Sequence, residues 1–162
     1  MLINRATVLA VATLSALFAG GSVLALAKGP APQPQTIPRA ADGHFWAQGQ
    51  ASSDVGRADI RFLVDTGASS VALTAADAER LGLHTDRLIY SRPIYTAEGQ
   101  TSAASVMLSR LTVGGVELRE VKALVLKPDP GRAAPQASLL GMSYLGRLSK
   151  MTATRDGLIL ER

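Results

Sequence analysis

Arg61–Thr74, RFLVDTGASSVALT, is the stretch of this chain that decides its fold. An apolar run leads into Asp65, small residues follow, and a second apolar run comes after them. A carboxylate at the end of a buried strand loses hydration, so it is kept there only where hydrogen bonds or function require it. Gly67 and Ala68 suit a tight loop whose backbone N–H groups turn back on that carboxylate. Because Asp-Thr-Gly is also an ordinary turn tripeptide, the rest of the chain must decide between a structural and a catalytic loop.

The composition of the chain limits its function. Its 162 residues are 47% hydrophobic and 19% charged, which suits one domain with its own core. The absence of cysteine excludes thiol nucleophiles, disulfides and cysteine-ligated metals. Beyond residue 41, 14 basic residues face 13 acidic ones. Because that part is nearly neutral, we expect no nucleic-acid partner.

Residues 1–27 are predicted to be a signal peptide or a membrane anchor. The run from Ala6 to Ala27 carries no charge, and as a helix it would be about 33 Å long, close to the thickness of a membrane's hydrocarbon core. It ends in Ala25-Leu26-Ala27, a small-x-small cleavage pattern, so both alternatives stay open. We therefore expect the remainder of the chain to lie outside the cytoplasm. Residues 28–41 hold four of the eight prolines and are predicted to be a linker.

Residues 42–162 are predicted to form one mostly β domain with one or two short helices. Gly114 and Gly115 separate two apolar runs, a pattern typical of a tight hairpin. Thr74 can cap a short helix over residues 75–81, which Gly82 can end. The predicted strands share short length, β-branched residues and flanking turn signals; they cover residues 44–51, 58–64, 71–74, 106–113, 116–126 and 158–160.

Other catalytic chemistries find little support in the sequence. His44 and His84 are the only histidines, and no Gly-x-Ser-x-Gly elbow accompanies them. No metal-ligand spacing, calcium loop or phosphate-binding glycine loop occurs. We therefore expect neither a metal nor a cofactor.

Taken with two further motifs, the Asp-Thr-Gly stretch resembles the active-site loop of the retropepsin-like aspartic proteases, which include membrane-anchored bacterial members. Residues 94–99, IYTAEG, resemble the tip of the flap that closes over substrate in these enzymes. Residues 138–145, SLLGMSYL, resemble the second signature, in which Leu140 and Gly141 lead into a short helix. The resemblance implies a single-lobe, closed β-barrel of the acid-protease fold, here preceded by the N-terminal signal or transmembrane helix. It also implies a location at the periplasmic face of a bacterial inner membrane, or in the periplasm if the signal is cleaved.

The resemblance implies a role for each matched residue. Asp65 would be the catalytic acid and base, and Thr66 would bridge two loops through its hydroxyl. Gly67 would lend a backbone N–H, Ala68 would complete the loop, and Ser69 would hold the outer carboxylate oxygen. The flap residues would cover a bound protein or peptide substrate that docks as an extra strand; they are Tyr95, Thr96, Ala97, Glu98 and Gly99. Glu98 is expected to be a solvated turn residue rather than a selector of basic substrates.

The chain carries only one Asp-Thr-Gly or Asp-Ser-Gly motif. Aspartic-protease chemistry needs two carboxylates that share a proton, one acting as base on water and the other as acid toward the scissile carbonyl. The resemblance therefore implies a two-fold homodimer in which Asp65 of each protomer meets at the axis. The last strand is a candidate for the dimer sheet, and equally for the protomer's own sheet.

Two alternatives to a general endopeptidase stay open. A module with the same fold and dimer that binds peptides without cleaving them is the rival from another class. Self-processing is the other, in which the segment around residues 35–41 reaches the cleft of a neighbouring dimer. The chain also departs from the viral pattern, because Met142-Ser143 stands where those enzymes have a charged residue soon after the glycine.

Overall fold

A computed structural model describes residues 34–96, 99–129 and 137–162 of the chain. Within these ranges the backbone is mostly β. The strands are β1 (Ile37–Pro38), β2 (Trp46–Ser52), β3 (Arg57–Val64), β4 (Val71–Leu73), β5 (Arg92–Thr96), β6 (Gly99–Val113), β7 (Val116–Leu126), β8 (Ser138–Leu140), β9 (Lys150–Ala153) and β10 (Gly157–Glu161). The helices are α1 (Ala75–Arg80) and α2 (Met142–Leu145), with a single 3₁₀ turn at Thr85–Arg87.

Six strands close into a barrel in the order β2-β3-β8-β4-β7-β6, and pairing of β2 with β6 completes the ring. The β3–β8 and β4–β7 pairs are parallel, and the other pairs are antiparallel. Strand β5 extends the sheet beyond β6. The inward side chains of alternate strand positions form one apolar core that includes Ile60, Phe62 and Leu111. The predicted closed β-barrel with short helices is confirmed.

A second, three-stranded sheet runs in the order β1-β10-β9. Its strand β1 lies inside residues 28–41, the range that the sequence analysis assigns to a linker. Ile37 is only 6% exposed and belongs to the core, and its strand pairs with β10. The two residues of β1 lie in a proline-rich segment and are too few to show a strand periodicity. Only their pairing with the C-terminal strand β10 identifies them as a strand. The folded domain therefore begins before residue 42.

The local signals of the helix and the hairpin act as predicted. The Thr74 side chain accepts a hydrogen bond from the N–H of Asp77, which caps α1. Gly114 and Gly115 take positive φ angles of 56° and 81° in the turn between β6 and β7, a conformation that glycine adopts without strain.

No helix in the described ranges is long and apolar enough to cross a membrane. The predicted signal or anchor, residues 1–27, lies outside those ranges.

Candidate active site

Strand β3 ends at Val64 and delivers Asp65 to a loop at the end of the barrel sheet. The N–H of Asp65 donates to the carbonyl of Leu140 at 3.1 Å, which continues the pairing of β3 with β8. Oδ1 of the carboxylate accepts the N–H of Gly67 at 2.8 Å, and the Asp65 carbonyl accepts that of Ala68 at 3.3 Å. The loop therefore turns back on its own carboxylate and holds it half-buried.

Gly141 supports this loop from behind by direct backbone contact. A Cβ at Gly141 would lie 2.2 Å from the carbonyl oxygen of Ser70 and 2.7 Å from that of Ala68, distances that real Cβ atoms do not reach. The N–H of Met142 donates to the same Ala68 carbonyl at 2.8 Å. Leu140 and Gly141, the second signature, therefore form the surface against which the Asp65 loop is fitted.

Ser143 is a site residue to which the sequence analysis gives no role. Its Oγ accepts the N–H of Val71 at 2.8 Å and donates to the carbonyl of Lys122 at 2.7 Å. These bonds tie α2 both to the end of the Asp65 loop and to β7. The signal in the sequence was that Met142-Ser143 stands where the viral enzymes have a charged residue. The hydrogen-bond partners of Ser143 are distant in the sequence, so that signal did not identify them.

Thr66 and Ser69 are exposed on this protomer. In the described part of this single chain, no hydrogen bond joins the Ser69 hydroxyl to Asp65, so the structure differs here from what the resemblance implies. The side chain of Ser69 is exposed, and the backbone N–H of Gly67 holds Oδ1 of the carboxylate.

The candidate flap is the hairpin of β5 and β6. Tyr95 pairs with Gln100 and Thr96 with Gly99 in an antiparallel register. Tyr95 is 83% exposed, and Gly99 takes a φ of 108°. Ala97 and Glu98, also predicted for the flap, lie outside the described residues.

A buried polar group anchors the start of β8, and the sequence analysis does not identify it. The Ser138 hydroxyl donates to Asp77 of α1 and accepts the N–H of Thr74 at 3.1 Å. Asp77 also pairs with Arg80. Ser138 and Asp77 are buried, and a buried carboxylate needs such partners. This group fixes the strand that carries Leu140 toward Asp65.

No group of three or more histidine or acidic side chains that could hold a metal ion occurs in the part of the chain that the structure describes. Within that part, the chemically active group at the loop is the single carboxylate of Asp65. A loop with one half-buried carboxylate and a flap hairpin can bind an extended peptide and activate water, given a second carboxylate.

A single-lobe β-barrel with one Asp-Thr-Gly loop, backed by an apolar-apolar-glycine segment, defines the aspartic-protease class. Comparison with known sequences narrows this class to a family, because residues 52–147 match the family described as "gag-polyprotein putative aspartyl protease". The chain belongs to the retropepsin-like aspartic protease family.

Similar proteins include one of known structure. A retropepsin-like aspartic protease from Rickettsia conorii, known from its crystal structure, is 37% identical, with a TM-score of 0.60 over 77% of this chain and 95% of that one. Uncharacterized proteins of Rickettsia prowazekii (strain Madrid E) and of a Sinorhizobium species, the latter from the cobV 5′ region, are 39% and 38% identical over 76% and 74% of this chain. The chain spans about half the length of these two relatives, 49% and 48%.

Proposed function

We propose that this protein is a homodimeric aspartic endopeptidase that acts outside the cytoplasm. Its Asp65 carboxylates, one from each protomer, would activate a water molecule that attacks the scissile carbonyl of a protein or peptide. One carboxylate takes the proton of the water while the other donates a proton to the carbonyl oxygen. No covalent intermediate with the enzyme is needed.

The observation that carries this proposal is that the chain holds one complete catalytic loop, which supplies one of the two carboxylates that the chemistry needs. The Asp65 loop has the geometry described above, and the segment from Leu140 to Ser143 supports it. A second motif of the same kind does not occur in the sequence. Thr66 and Gly67 are exposed, so the loop is accessible to the same loop of a second copy. An isologous contact would bring the two carboxylates together, as the mechanism requires.

The β1-β10-β9 sheet supports a second contact between copies. Strand β10 lies in the middle of that sheet; it pairs with β9 over residues 158–161 and with β1 at Gly157 and Leu158. Strand β9 pairs only with β10 among the described residues and is mostly exposed, with Met151 40% exposed. An open edge of this kind is a template for pairing with another chain. Two antiparallel β9 strands related by a two-fold axis would join the sheets of two protomers.

The location is proposed from the sequence of residues 1–27. An uncleaved segment would tether the domain to the inner membrane and raise the local concentration of protomers, which favours dimers. A cleaved segment would release the domain into the periplasm. Mass spectrometry of the N-terminus of the membrane and periplasmic fractions distinguishes the two.

The packing of β1 argues against one form of self-processing. Gln35 donates its N–H to Gly114 at 3.0 Å, and Ile37 and Pro38 pair with β10. A segment hydrogen-bonded into its own sheet cannot lie in a neighbour's cleft at the same time. Self-processing within residues 35–38 would therefore require this strand to leave the sheet first.

The deciding experiment compares the full chain with its Asp65→Asn variant on an unfolded protein substrate between pH 4 and 7. The exposed Asp54→Asn change is the matched control, since it removes the same charge away from the loop. We expect Asp65→Asn to lower cleavage by about 10²–10⁴-fold and Asp54→Asn to leave it unchanged. Sedimentation in the same buffers should show that cleavage follows the dimer population.

Two other outcomes would contradict the proposal. Cleavage that survives Asp65→Asn would come from another site or a contaminant. A wild type that forms a stable dimer and binds the peptide substrate without cutting it under any of these conditions would instead favour the non-catalytic binding module.

A further inference from the structure

The hydroxyl of Ser143 lies between the end of the Asp65 loop and strand β7. It accepts the N–H of Val71 at 2.8 Å and donates to the carbonyl of Lys122 at 2.7 Å. The direction of both bonds is fixed, because an amide N–H only donates and a carbonyl only accepts.

The register of β4 and β7 places the two partners of this hydroxyl at the start of the strand pair. The strands are parallel, with Val71 opposite Ala123. In a parallel pair of this register, the N–H of Val71 would donate to the carbonyl one residue before its partner, which is that of Lys122. The N–H groups of successive residues in a strand point alternately to its two neighbouring strands. Thr74, three residues after Val71, donates its N–H to the Ser138 hydroxyl at the start of β8, so the N–H of Val71 points to β7. The serine hydroxyl thus bridges the N–H of Val71 and the carbonyl of Lys122 at the start of the β4–β7 pair.

We propose that Ser143 is a positioning residue, whose hydroxyl sets the separation of β4 and β7 where the Asp65 loop enters the sheet. This inference rests on the proposed proteolytic function. The other hydrogen bonds that hold the loop to this segment join backbone atoms: Asp65 to Leu140, and Met142 to Ala68. Within the described residues, Ser143 makes the side-chain hydrogen bond from this segment to the end of the loop.

Removing the hydroxyl leaves two responses for the loop. The N–H of Val71 can approach the Lys122 carbonyl directly, which draws the end of the loop toward β7, or it can lose its partner. Both responses change where Asp65 stands relative to the carboxylate of the second protomer. A displacement of about 1 Å at a catalytic group costs about 10²-fold in rate.

The test compares Ser143→Thr with Ser143→Val in the full chain, because these side chains have the same shape and differ in the hydroxyl. Ser109→Ala is the control for losing a serine hydroxyl elsewhere: Oγ of Ser109 donates to the carbonyl of Ser52 at 3.2 Å, between β6 and β2. We measure kcat and KM at concentrations where sedimentation shows equal dimer populations. We expect Ser143→Val to lower kcat by about 10- to 10²-fold with KM nearly unchanged. Ser143→Thr and Ser109→Ala should keep kcat close to the wild-type value.

Amide hydrogen exchange of Val71 and the chemical shift of the Gly67 amide give a readout that needs no activity. In Ser143→Val, the Val71 amide should exchange at a different rate from that in Ser143→Thr, faster where it loses its partner, and the Gly67 resonance should move. Equal kcat values for the Val and Thr variants would overturn the inference. If the wild type cleaves nothing, the proposed function fails, and the amide data alone decide: equal exchange and an unmoved Gly67 resonance overturn the positioning role, and a difference supports it.

Discussion

Gly141 and Ser70 approach so closely that no side chain fits between them. A Cβ on Gly141 would stand 2.2 Å from the carbonyl oxygen of Ser70 and 2.6 Å from its carbonyl carbon. Both atoms belong to the loop that begins at Asp65. The glycine of the second signature is therefore fixed by contact with the catalytic loop rather than by its own backbone angles, since its φ of −96° is open to other residues.

Replacing Gly141 with alanine should displace the Asp65 loop. Because the obstacle is backbone rather than a flexible side chain, we expect a loss of about 3 kcal/mol or more in the free energy of unfolding, together with loss of cleavage. Gly43→Ala is the control: its Cβ would meet nothing within 4 Å, but its φ of 81° makes alanine strained, at a cost of about 1 kcal/mol. Denaturant unfolding of both variants checks this, and equal losses would contradict it.

The hydroxyl of Tyr144 should contribute to stability by joining α2 to the turn between β6 and β7. It is buried and donates to the carbonyls of Val116 at 2.8 Å and Val113 at 3.2 Å. Tyr144→Phe leaves these carbonyls without that donor, so we expect a loss of about 1–3 kcal/mol. Tyr95→Phe, at an exposed position, should leave the free energy of unfolding unchanged. Loss of equal size in both variants would argue against a role for the buried bond.

The advantage of Tyr144 over phenylalanine should also depend on pH. Burial raises the pKa of Tyr144 far above its ordinary value near 10. The unfolded chain can then release this proton at a lower pH than the folded chain. The stability difference between wild type and Tyr144→Phe should stay constant below pH 10 and shrink as the pH rises above it. A difference that grows in alkaline solution would contradict this sign.

A proline at Ala153 should prevent pairing of two β9 strands without unfolding the protomer. Thr154 donates its N–H to Gly157 at 2.8 Å. Because hydrogen-bonded pairs alternate along an antiparallel ladder, Thr152 faces β10 and Ala153 faces the open edge. Proline is tolerated where the missing N–H points outward. We expect Ala153→Pro to fold, to sediment as a monomer and to lose cleavage.

Thr152→Pro is the comparison for this prediction, since it removes an N–H that belongs to the protomer's own ladder. It should lower the melting temperature, which Ala153→Pro should largely preserve. An Ala153→Pro protein that remains a fully active dimer would exclude β9 from the interface.

A chain that starts at Asp42 should be less stable than one that starts at Pro34. The shorter chain lacks β1 and leaves the core without Ile37. The substitution Ile37→Ala in the longer chain isolates the side chain and should cost about 2–5 kcal/mol. The truncation should cost at least as much, because it also removes the pairing with β10. Equal unfolding midpoints for the two chains would show that β1 adds nothing.

Much of the barrel could be predicted from the sequence because its signals are local. Thr74 before an alanine-rich segment caps α1, and two adjacent glycines form the turn between β6 and β7. Strands β5, β8 and β9 and the first half of β6 are not among the predicted strands. These segments are short or consist mostly of polar, small or exposed residues, so they show little alternation, and pairing with distant strands determines their conformation.

The sequence by itself determined the mostly β class, the Asp-Thr-Gly loop at the end of an apolar strand, and the presence of one such motif where the chemistry needs two carboxylates. These follow from residue order, since strand, loop and motif are contiguous. Only the tertiary structure decided that Ser143 bridges β4 and β7, that Ser138 and Asp77 anchor β8, and that β1 joins the C-terminal sheet. Each of these arrangements includes a contact between residues more than fifty positions apart in the chain, and packing rather than local preference selects the partners.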